Sequence, residues 1–453
     1  MSQMINLFEY RNKEAFKGDF EGLEVFLDDI WNKRERLISE EEEVNTEVQR
    51  FIQFIHKTNE LKSNKYVGVI HYDDKRINLL PKIFYDGSAT CNDTRVEGIQ
   101  KHILWYLSYC RKLKFPNYQS TMGSMKNDFF EVIIYLFAKY TRELLNNAIY
   151  QQYEEINREV HNIKGRLNTS RYINENLSRG RWHKVNCDYD AFVVDNKFNR
   201  IIKYVANLLF HASKNHENKR FLREILFLLD EVTDEVVSSS DCKRITFNPM
   251  FGDFETVRDY CQLFLENSIS INYKNELKLF AFLLPMEYLL EDFIFGFIDK
   301  EIGTLKAKAQ NSSTYLDESK TFGLRPDLCI ASSNKEFIAD TKYKIIYSES
   351  VDAKRGISQA DLYQMVAYAI RFNVPDIVLL YPNTINDYSK EEHQLKVLDR
   401  LADGRSINIR TFQLPIINYE VLDTPVKNDV DLEECFYNIK DELKVRLEEI
   451  FEV

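Results

Sequence analysis

The stretch "RPDLCIASSNKEFIADTKYK", residues 325–344, places two carboxylates and a lysine inside otherwise apolar, strand-like sequence. Residues two apart on a strand share a face, so Asp340 and Lys342 are predicted to point the same way. Asp327 closes the preceding strand, and the short "SSNKE" turn allows the two strands to pair as a hairpin. That pairing predicts that Asp327 lies beside Asp340.

Two carboxylates that converge in a cleft repel each other unless a cation joins them. Oxygen ligands of this kind suit Mg²⁺, which needs few protein carboxylates and keeps several waters. Lys342 beside such a metal could orient or deprotonate an attacking water, or stabilise charge that develops on a phosphate. These groups are the ones that metal-assisted hydrolysis of a phosphodiester requires.

A packing salt bridge between Asp340 and a neighbouring lysine is the alternative, and a bare D-x-K pattern would favour it. Three further features count against that alternative. Pro326 precedes Asp327, the spacing of the acids fits one hairpin, and the next predicted helix contains "YQMVAY". This last segment places Gln364 and Tyr368 at i and i+4, on one face of the helix.

The sequence P-D, then D-x-K, then Q-x-x-x-Y resembles the PD-(D/E)xK nuclease superfamily, in the branch shared with RecB-type nucleases. The resemblance implies an α/β fold, with a mixed sheet flanked by helices. It implies catalytic roles for five residues, Asp327, Asp340, Lys342, Gln364 and Tyr368. It also implies that Mg²⁺, or Mn²⁺ as a substitute, is held by Asp327, Asp340 and an acid from an upstream helix. Glu291 in "MEYLLEDFI" (286–294) is the candidate, Glu287 is its competitor, and either could equally be a solvated helix acid.

Upstream segments extend the resemblance to McrC, the nuclease subunit of McrBC-type modification-dependent restriction systems. "YVGVIHYDDKRINLLPKIF" (66–84) is similar to the family's early segment, although its hairpin and "PKI" end could face a partner or belong to the core. "KGRLNTSRYINEN" (164–176) and "CDYDAFVVDNKFNRIIKY" (187–204) are similar to its middle segment. The similarity runs from about residue 65 to 385.

The McrC resemblance implies a partner and a division of labour. The partner is an AAA+ GTPase ring of the McrB type, which recognises double-stranded, modified DNA and translocates. Residues 1–265 are expected to form an α+β region that docks on this ring and stimulates GTP hydrolysis. Residues 266–453 are expected to form the endonuclease domain.

The composition is consistent with a chain that depends on a partner to bind DNA and nucleotide. The chain has 453 residues and a formal net charge of −11, so tight DNA binding by this chain alone is not expected. It has no GxxxxGK[ST] motif that could cradle a nucleotide phosphate. The basic stretch "SRGRWHKVN" (178–186) could contact phosphate or an acidic partner surface, or could be an ordinary exposed loop.

Other signals point to a cytoplasmic protein. The seven cysteines are scattered and never form a CxxC pair, which fits reduced thiols. The N-terminus does not resemble a signal peptide, and no segment has the uncharged apolar length of a membrane span.

The pattern along the chain predicts the following elements. Residues 1–60 are expected to be mostly helical, with the acidic cluster "SEEEEVNTEV" (39–48) on a solvated face. The next expected elements are a hairpin (65–86), helices (96–115 and 126–149), a strand (153–168), and a strand followed by a helix (185–212). Helices are expected across much of 217–300. A loop (308–320) comes next, and then strand, strand, helix and strand up to residue 382. A strand (406–414) and an amphipathic helix (432–451) end the chain.

Two alternative functions remain open from the sequence. One is a RecB-like nuclease of another defence or repair system that has no McrB-type partner. The other is a catalytically inert regulatory subunit of an AAA+ motor. Intact Asp327, Asp340 and Lys342 favour an active nuclease over the inert subunit.

Overall fold

The computed structural model describes residues 4–33, 51–72, 75–88, 92–110, 129–270, 279–309, 314–332, 335–346, 354, 357–399, 405–423 and 432–452. The strands in chain order are β1 Met4–Phe8, β2 Glu14–Ala15, β3 Ile52–Ile55, β4 Glu60–Ser63, β5 Tyr66–Tyr72, β6 Lys75–Leu80, β7 Gln152–Val160, β8 Arg166–Leu167, β9 Val185–Val193, β10 Ser268–Ser270, β11 Leu279–Pro285, β12 Lys306–Ala309, β13 Thr314–Tyr315, β14 Gly323–Leu324, β15 Leu328–Ala331, β16 Glu336–Thr341, β17 Asp376–Pro382, β18 His393–Asp399 and β19 Arg405–Leu414. The α-helices are α1 Phe20–Lys33, α2 Asp93–Tyr109, α3 Phe129–Asn147, α4 Thr169–Arg171, α5 Lys197–Ala212, α6 His216–Leu228, α7 Ser239–Lys243, α8 Asp253–Asn267, α9 Met286–Glu301, α10 Gln359–Phe372, α11 Tyr419–Asp423, α12 Leu432–Cys435 and α13 Tyr437–Ile450.

The chain divides into two compact units, and the first is discontinuous. It comprises Met1–Ile133 together with Asn267–Val453, whereas the second comprises Ile134–Glu266. The boundary expected near residue 265 coincides with the return into the first unit. However, residues 1–133 pack with the C-terminal segment, so the compact units differ from the expected division into 1–265 and 266–453.

The first sheet of unit 1 has the strand order β1-β6-β5-β11-β10. The hairpin expected within 65–86 is present as β5 and β6, which pair from Gly68 with Leu79 to Tyr72 with Lys75. The other edge of β5 pairs antiparallel with β11. The helices expected across much of 217–300 are present as α6 to α9, but the strands β10 and β11 lie between α8 and α9. The continuous apolar run "LFAFLLP" of β11 lacks the alternation that distinguishes a strand from a helix.

The helical prediction for residues 1–60 is also wrong over most of the described part of that region, where α1 is accompanied by short strands. β1 lies parallel to β6, and β2, β4 and β3 form a separate sheet. β1 and β2 depend on partners more than forty residues away, which local periodicity does not report, whereas β3 and β4 pair as a local hairpin. The acidic cluster 39–48 lies outside the described residues.

The second sheet of unit 1 is mixed, with the strand order β12-β15-β16-β17-β19-β18. The strands β16, β17 and β19 are parallel, and the remaining neighbours are antiparallel. Met365 and Tyr368 of α10 pack with Ile377 and Leu379 of β17 in one buried cluster. The predicted strand, strand, helix and strand after residue 320 are therefore confirmed as β15, β16, α10 and β17, and a mixed α/β architecture is confirmed with them.

Helix α9 connects the two sheets of unit 1, because it begins immediately after β11 and contacts β12 and β16. Its position against α2 depends on Gly296. A Cβ atom at this glycine would lie 1.7 Å from the carbonyl oxygen of Tyr109, so any larger residue would force the helices apart.

Unit 2 contains a small sheet of order β7-β9-β8, most of α3, and the helices α4 to α8. The strand expected over 153–168 ends at Val160, and the chain turns through Gly165, whose φ of +60° favours glycine. The strand and helix expected over 185–212 are β9 and α5, and Asn196 caps α5 by accepting a hydrogen bond from the Asn199 amide. The ring of Tyr150 packs edge-on against nearby phenylalanines of this unit, Phe198, Phe247, Phe251 and Phe254.

Two findings hold for the described part of the chain. None of its helices is long and apolar enough to cross a membrane. Its cysteines are free thiols, and Cys91 lies outside the described residues.

Candidate active site

The pairing of β15 with β16 brings the two predicted acids together. The strands are antiparallel, with Leu328 opposite Ala339. Extending this register by one residue places Asp327 opposite Asp340. Two hydrogen bonds fix Asp327 there: the Thr341 amide donates to its Oδ2 at 2.8 Å, and the Thr341 hydroxyl donates to the same oxygen at 3.1 Å. The hairpin expected from the sequence therefore forms and juxtaposes the acids.

Lys342 completes this group from the end of β16. Its Nζ lies 2.6 Å from Oδ2 of Asp340 and 3.9 Å from Oδ1 of Asp361. Asp340 is 1% exposed, and the Lys342 side chain remains 18% exposed. The lysine therefore bridges a buried carboxylate and the solvent.

Both acids hold their protons more tightly than an ordinary aspartate does. Burial, and then the charge of Glu291, raises the pKa of Asp327 to about 6, against the hydrogen bonds from Thr341. Burial, and then the charge of Asp327, raises the pKa of Asp340 to about 7, against the attraction of Lys342. The charge of Asp327 raises the pKa of Asp340 although Lys342 lies 2.6 Å from Asp340, so a further cation between the two carboxylates would be stabilising.

Lys342 remains charged at neutral pH. Burial lowers its pKa, but the nearby Asp340 carboxylate, together with Asp327 and Asp361, outweighs burial and raises the pKa above 10.5. A lysine that holds its proton this firmly is a poor general base. Of the roles considered for Lys342, stabilisation of negative charge on a phosphate is therefore favoured over deprotonation of water.

Gln364 and Tyr368 of α10 form a chain of hydrogen bonds that ends at Lys342, as their i and i+4 spacing predicted. The Tyr368 hydroxyl donates to the carbonyl oxygen of Arg325 at 2.9 Å, and Gln364 Nε2 donates to Tyr368 Oη at 2.8 Å. Lys342 Nζ donates to Gln364 Oε1 at 3.4 Å. Tyr368 is buried and Gln364 is exposed, so Gln364 is the solvent-facing member of this hydrogen-bond chain.

Asp361 is a site residue that the sequence reasoning missed. It accepts a hydrogen bond of 2.6 Å from Lys344 Nζ, and with Ser358 it forms the capping box of α10. Burial opposes ionisation, but Lys344 and Ser358 hold the pKa of Asp361 below its ordinary value. The segment "SQAD" (358–361) has the spacing of a capping box, so the sequence did contain a signal for this acid.

The predicted metal ligands are gathered only in part. Asp327 and Asp340 face each other, and Glu291 is close enough for its charge to raise the pKa of Asp327. Glu287 contributes to a different group, around Glu9 and Lys82. Among the described residues, no three His, Cys, Asp or Glu side chains lie close enough together to hold a metal ion by themselves. A pair of carboxylates nevertheless fits Mg²⁺, which takes one or two carboxylates and completes its shell with water and phosphate oxygens.

Comparison with known families gives one decisive match. A family model described as the McrBC 5-methylcytosine restriction system component matches residues 61–382, well over half of the chain. The chain belongs to this family. The resemblance to McrC seen in the sequence is thereby confirmed, and the match includes Asp327, Asp340 and both members of the Gln364–Tyr368 pair.

One solved structure agrees in fold over nearly the whole chain. The refined half-complex from the tetradecameric assembly of Thermococcus gammatolerans McrB AAA+ hexamers with bound McrC is similar with a TM-score of 0.62 and 18% identity. This match covers 96% of the present chain and 100% of that chain. The Thermococcus gammatolerans McrBC complex solved by cryo-EM matches with a TM-score of 0.49 and 19% identity, over 66% of this chain and 88% of that one. No curated protein sequence matches the chain significantly.

Proposed function

We propose that this chain is the Mg²⁺-dependent DNA endonuclease subunit of a McrBC-type restriction complex and that it stimulates the GTPase of a McrB-type AAA+ partner. The observation that carries the proposal is the juxtaposition of Asp327, Asp340 and Lys342 where β15 and β16 meet. The family match supports a restriction role. A nuclease domain of the PD-(D/E)xK type accounts for the mixed sheet and for the position of these residues within it.

Asp327 and Asp340 are the proposed metal ligands, with Glu291 contributing from α9. Bound Mg²⁺, or Mn²⁺ in its place, would supply Lewis-acid activation of water and neutralise charge on the scissile phosphate. The protein would contribute the fixed geometry. Thr341 orients Asp327 through two hydrogen bonds, and Lys342 lies 2.6 Å from the buried carboxylate of Asp340.

Lys342 is proposed to stabilise the charge that develops on the phosphate oxygens. Its ammonium group is already held at the site by Asp340 and Asp361, so little reorganisation is needed when substrate binds. Gln364, at the exposed end of the α10 hydrogen-bond chain, is placed to contact substrate phosphate or a water at the site.

Partner docking and GTPase stimulation are assigned to residues 1–265, as the McrC resemblance implies. Unit 2 offers exposed groups of the kind that interfaces use: Trp182 is 72% exposed and Ile163 is 66% exposed. Trp182 lies within the basic stretch 178–186, which is solvent-exposed over most of its length. The known structure with TM-score 0.62 contains McrC bound to McrB hexamers, which supports the same kind of assembly here.

The test is cleavage of DNA containing 5-methylcytosine by the full-length chain with its AAA+ partner, GTP and Mg²⁺. Wild-type protein is expected to cut the modified DNA and to raise the GTPase rate of the partner. Asp340→Asn is expected to raise the GTPase rate equally and to leave the DNA intact. Cleavage by Asp340→Asn at the wild-type rate would refute the site, and GTPase stimulation without any cleavage by the wild type would favour the inert regulatory subunit.

A further inference from the structure

A buried polar cluster in unit 1 begins at the residue that follows Lys342. Its members are Glu9, Lys82 and Tyr343. Glu9 immediately follows β1 and is 1% exposed, and its amide donates to the carbonyl oxygen of Leu80 at 2.9 Å. A carboxylate this far from water is costly unless polar groups meet it. The contacts of these three residues show which part of the chain the buried carboxylate holds in place.

Two donors meet the Glu9 carboxylate at the same oxygen. The Tyr343 hydroxyl donates to Oε2 at 2.6 Å, and the Lys82 amide donates to it at 3.1 Å. Burial nevertheless raises the pKa of Glu9 to about 7, since these donors offset only part of its effect. The hydroxyl of Tyr343 is thus tied to a residue that is more than three hundred positions away in the sequence.

Lys82 holds the rest of Tyr343. Its Nζ donates to the carbonyl oxygen of Tyr343 at 2.8 Å and lies 4.2 Å from the centroid of the Tyr343 ring. Tyr343 is therefore held at its hydroxyl, its ring and its carbonyl group. Lys82 belongs to the "PKI" segment, which the sequence left undecided between core and partner surface, and the structure places its lysine in this cluster.

The backbone links Tyr343 to the candidate active site. The Lys342 amide donates to the carbonyl oxygen of Leu380 at 2.8 Å, and the Lys344 amide donates to the carbonyl oxygen of Lys342 at 2.8 Å. The second bond closes a three-residue turn with Tyr343 at its centre. Fixing Tyr343 therefore fixes the backbone of both lysines, whose ammonium groups reach Asp340 and Asp361.

We propose that Glu9 and Lys82 are positioning residues of the nuclease site, which clamp Tyr343 and thereby hold Lys342 against Asp340. The inference rests on the proposed nuclease function. It makes the N-terminal strand and the "PKI" segment a structural part of the site, although neither touches the reacting phosphate. A displacement of about 1 Å in a charge-stabilising group can cost up to ~10²-fold in rate, so a clamp of this kind has a measurable kinetic effect.

The test uses Glu9→Gln and Tyr343→Phe in the full-length chain, with its AAA+ partner, GTP, Mg²⁺ and methylated DNA. Both substitutions preserve shape, and Tyr343→Phe keeps the ring beneath Lys82. We expect kcat for cleavage to fall about tenfold, with the KM for DNA and the GTPase stimulation unchanged. The matched control is Tyr109→Phe, which removes an equivalent tyrosine–glutamate bond of 2.9 Å to Glu301, elsewhere in unit 1. It should lower the melting temperature without changing kcat per folded molecule.

A second measurement does not depend on cleavage. The rate at which an amine reagent labels Lys342, followed by mass spectrometry on the chain alone, should rise several-fold in Tyr343→Phe and stay unchanged in Tyr109→Phe. If the wild type cuts no DNA, the nuclease proposal fails, whereas the labelling still decides whether the clamp holds Lys342. Unchanged labelling, together with an unchanged kcat per folded molecule in both variants, would overturn the inference.

Discussion

Lys342 and Asp340, two residues apart at the end of one strand, form an ion pair of 2.6 Å in which the acid is buried and the lysine reaches the solvent. An ion pair between exposed side chains contributes little to stability, whereas breaking a pair whose acid is buried leaves an uncompensated charge. The arrangement holds the Lys342 ammonium group beside a carboxylate whose pKa is raised.

Asp327→Ala, Asp340→Ala and Lys342→Ala should each abolish DNA cleavage and leave GTPase stimulation intact. The first two remove proposed metal ligands, and the third removes a positive charge needed in the transition state; losses of at least ~10²-fold are expected. Cleavage and GTPase assays with the partner check this. Asp376→Ala is the control, because Asp376 begins β17, three residues before the Leu379 that pairs with Asp340, and bonds Asn408. An equal loss of cleavage in the control would mean that cleavage depends on the integrity of the sheet and not on these three residues.

The stability of the metal-free chain should fall as the pH rises from about 4 to about 7. The pKa of Asp340 is raised from 3.8 to about 7, so in this window the folded chain retains protons that the unfolded chain has lost. Thermal melting across the window measures the effect, and Mg²⁺ should restore stability at the upper end. Glu9, with a pKa of about 7, contributes in the same direction.

Asp340→Asn should make this decline shallower. At about pH 8 without metal, the variant is expected to be more stable than the wild type by roughly 1 kcal/mol, while it is inactive. The gain is small because Lys342 loses its closest partner. A variant that is less stable than the wild type at every pH would show that the ion pair outweighs the repulsion between the acids.

Gln364→Ala should lower cleavage more than stability. Gln364 is exposed and carries the outer end of the chain that runs through Tyr368 to Arg325, so its removal leaves the core intact. We expect a loss of about tenfold in kcat and a change in unfolding free energy within ~0.5 kcal/mol. Tyr363→Ala, on the same helix and 65% exposed, is the control. If melting drops sharply and activity per folded molecule is constant, the pair is only structural.

Asp361→Asn should lower both stability and activity. It weakens the capping box of α10, which is worth about 1 kcal/mol, and it releases Lys344 and one partner of Lys342. Asp241→Asn provides the matched control, since Ser238 and Asp241 form the same capping box at α7 in unit 2. The control should lose comparable stability and no cleavage; equal losses of cleavage in both would assign Asp361 to helix capping alone.

The core of the site was predictable because its signals are local. The alternation around Asp340 and Lys342 and the short turn after β15 identify one hairpin, and the spacing of Gln364 and Tyr368 identifies one helix face. Glu9 could not be found in this way. Its partner Tyr343 is distant in sequence, and a single glutamate after a short strand has no pattern of its own. The same reason hid β11, whose identity as a strand comes from pairing with β5.

The pairing of β5 with β11 has a consequence for how the chain is made. The ribosome completes β5 long before β11 exists, and the whole of residues 134–266 is synthesised in between. During that interval β5 has an unpaired edge, which is a template for wrong association with other nascent chains. Unit 2, which is inserted between β5 and β11, can fold first. The pairing of β5 with β11 then completes the first sheet afterwards. Slower translation, or a chaperone that shields this edge, should therefore raise the yield of native protein more than any change within unit 2.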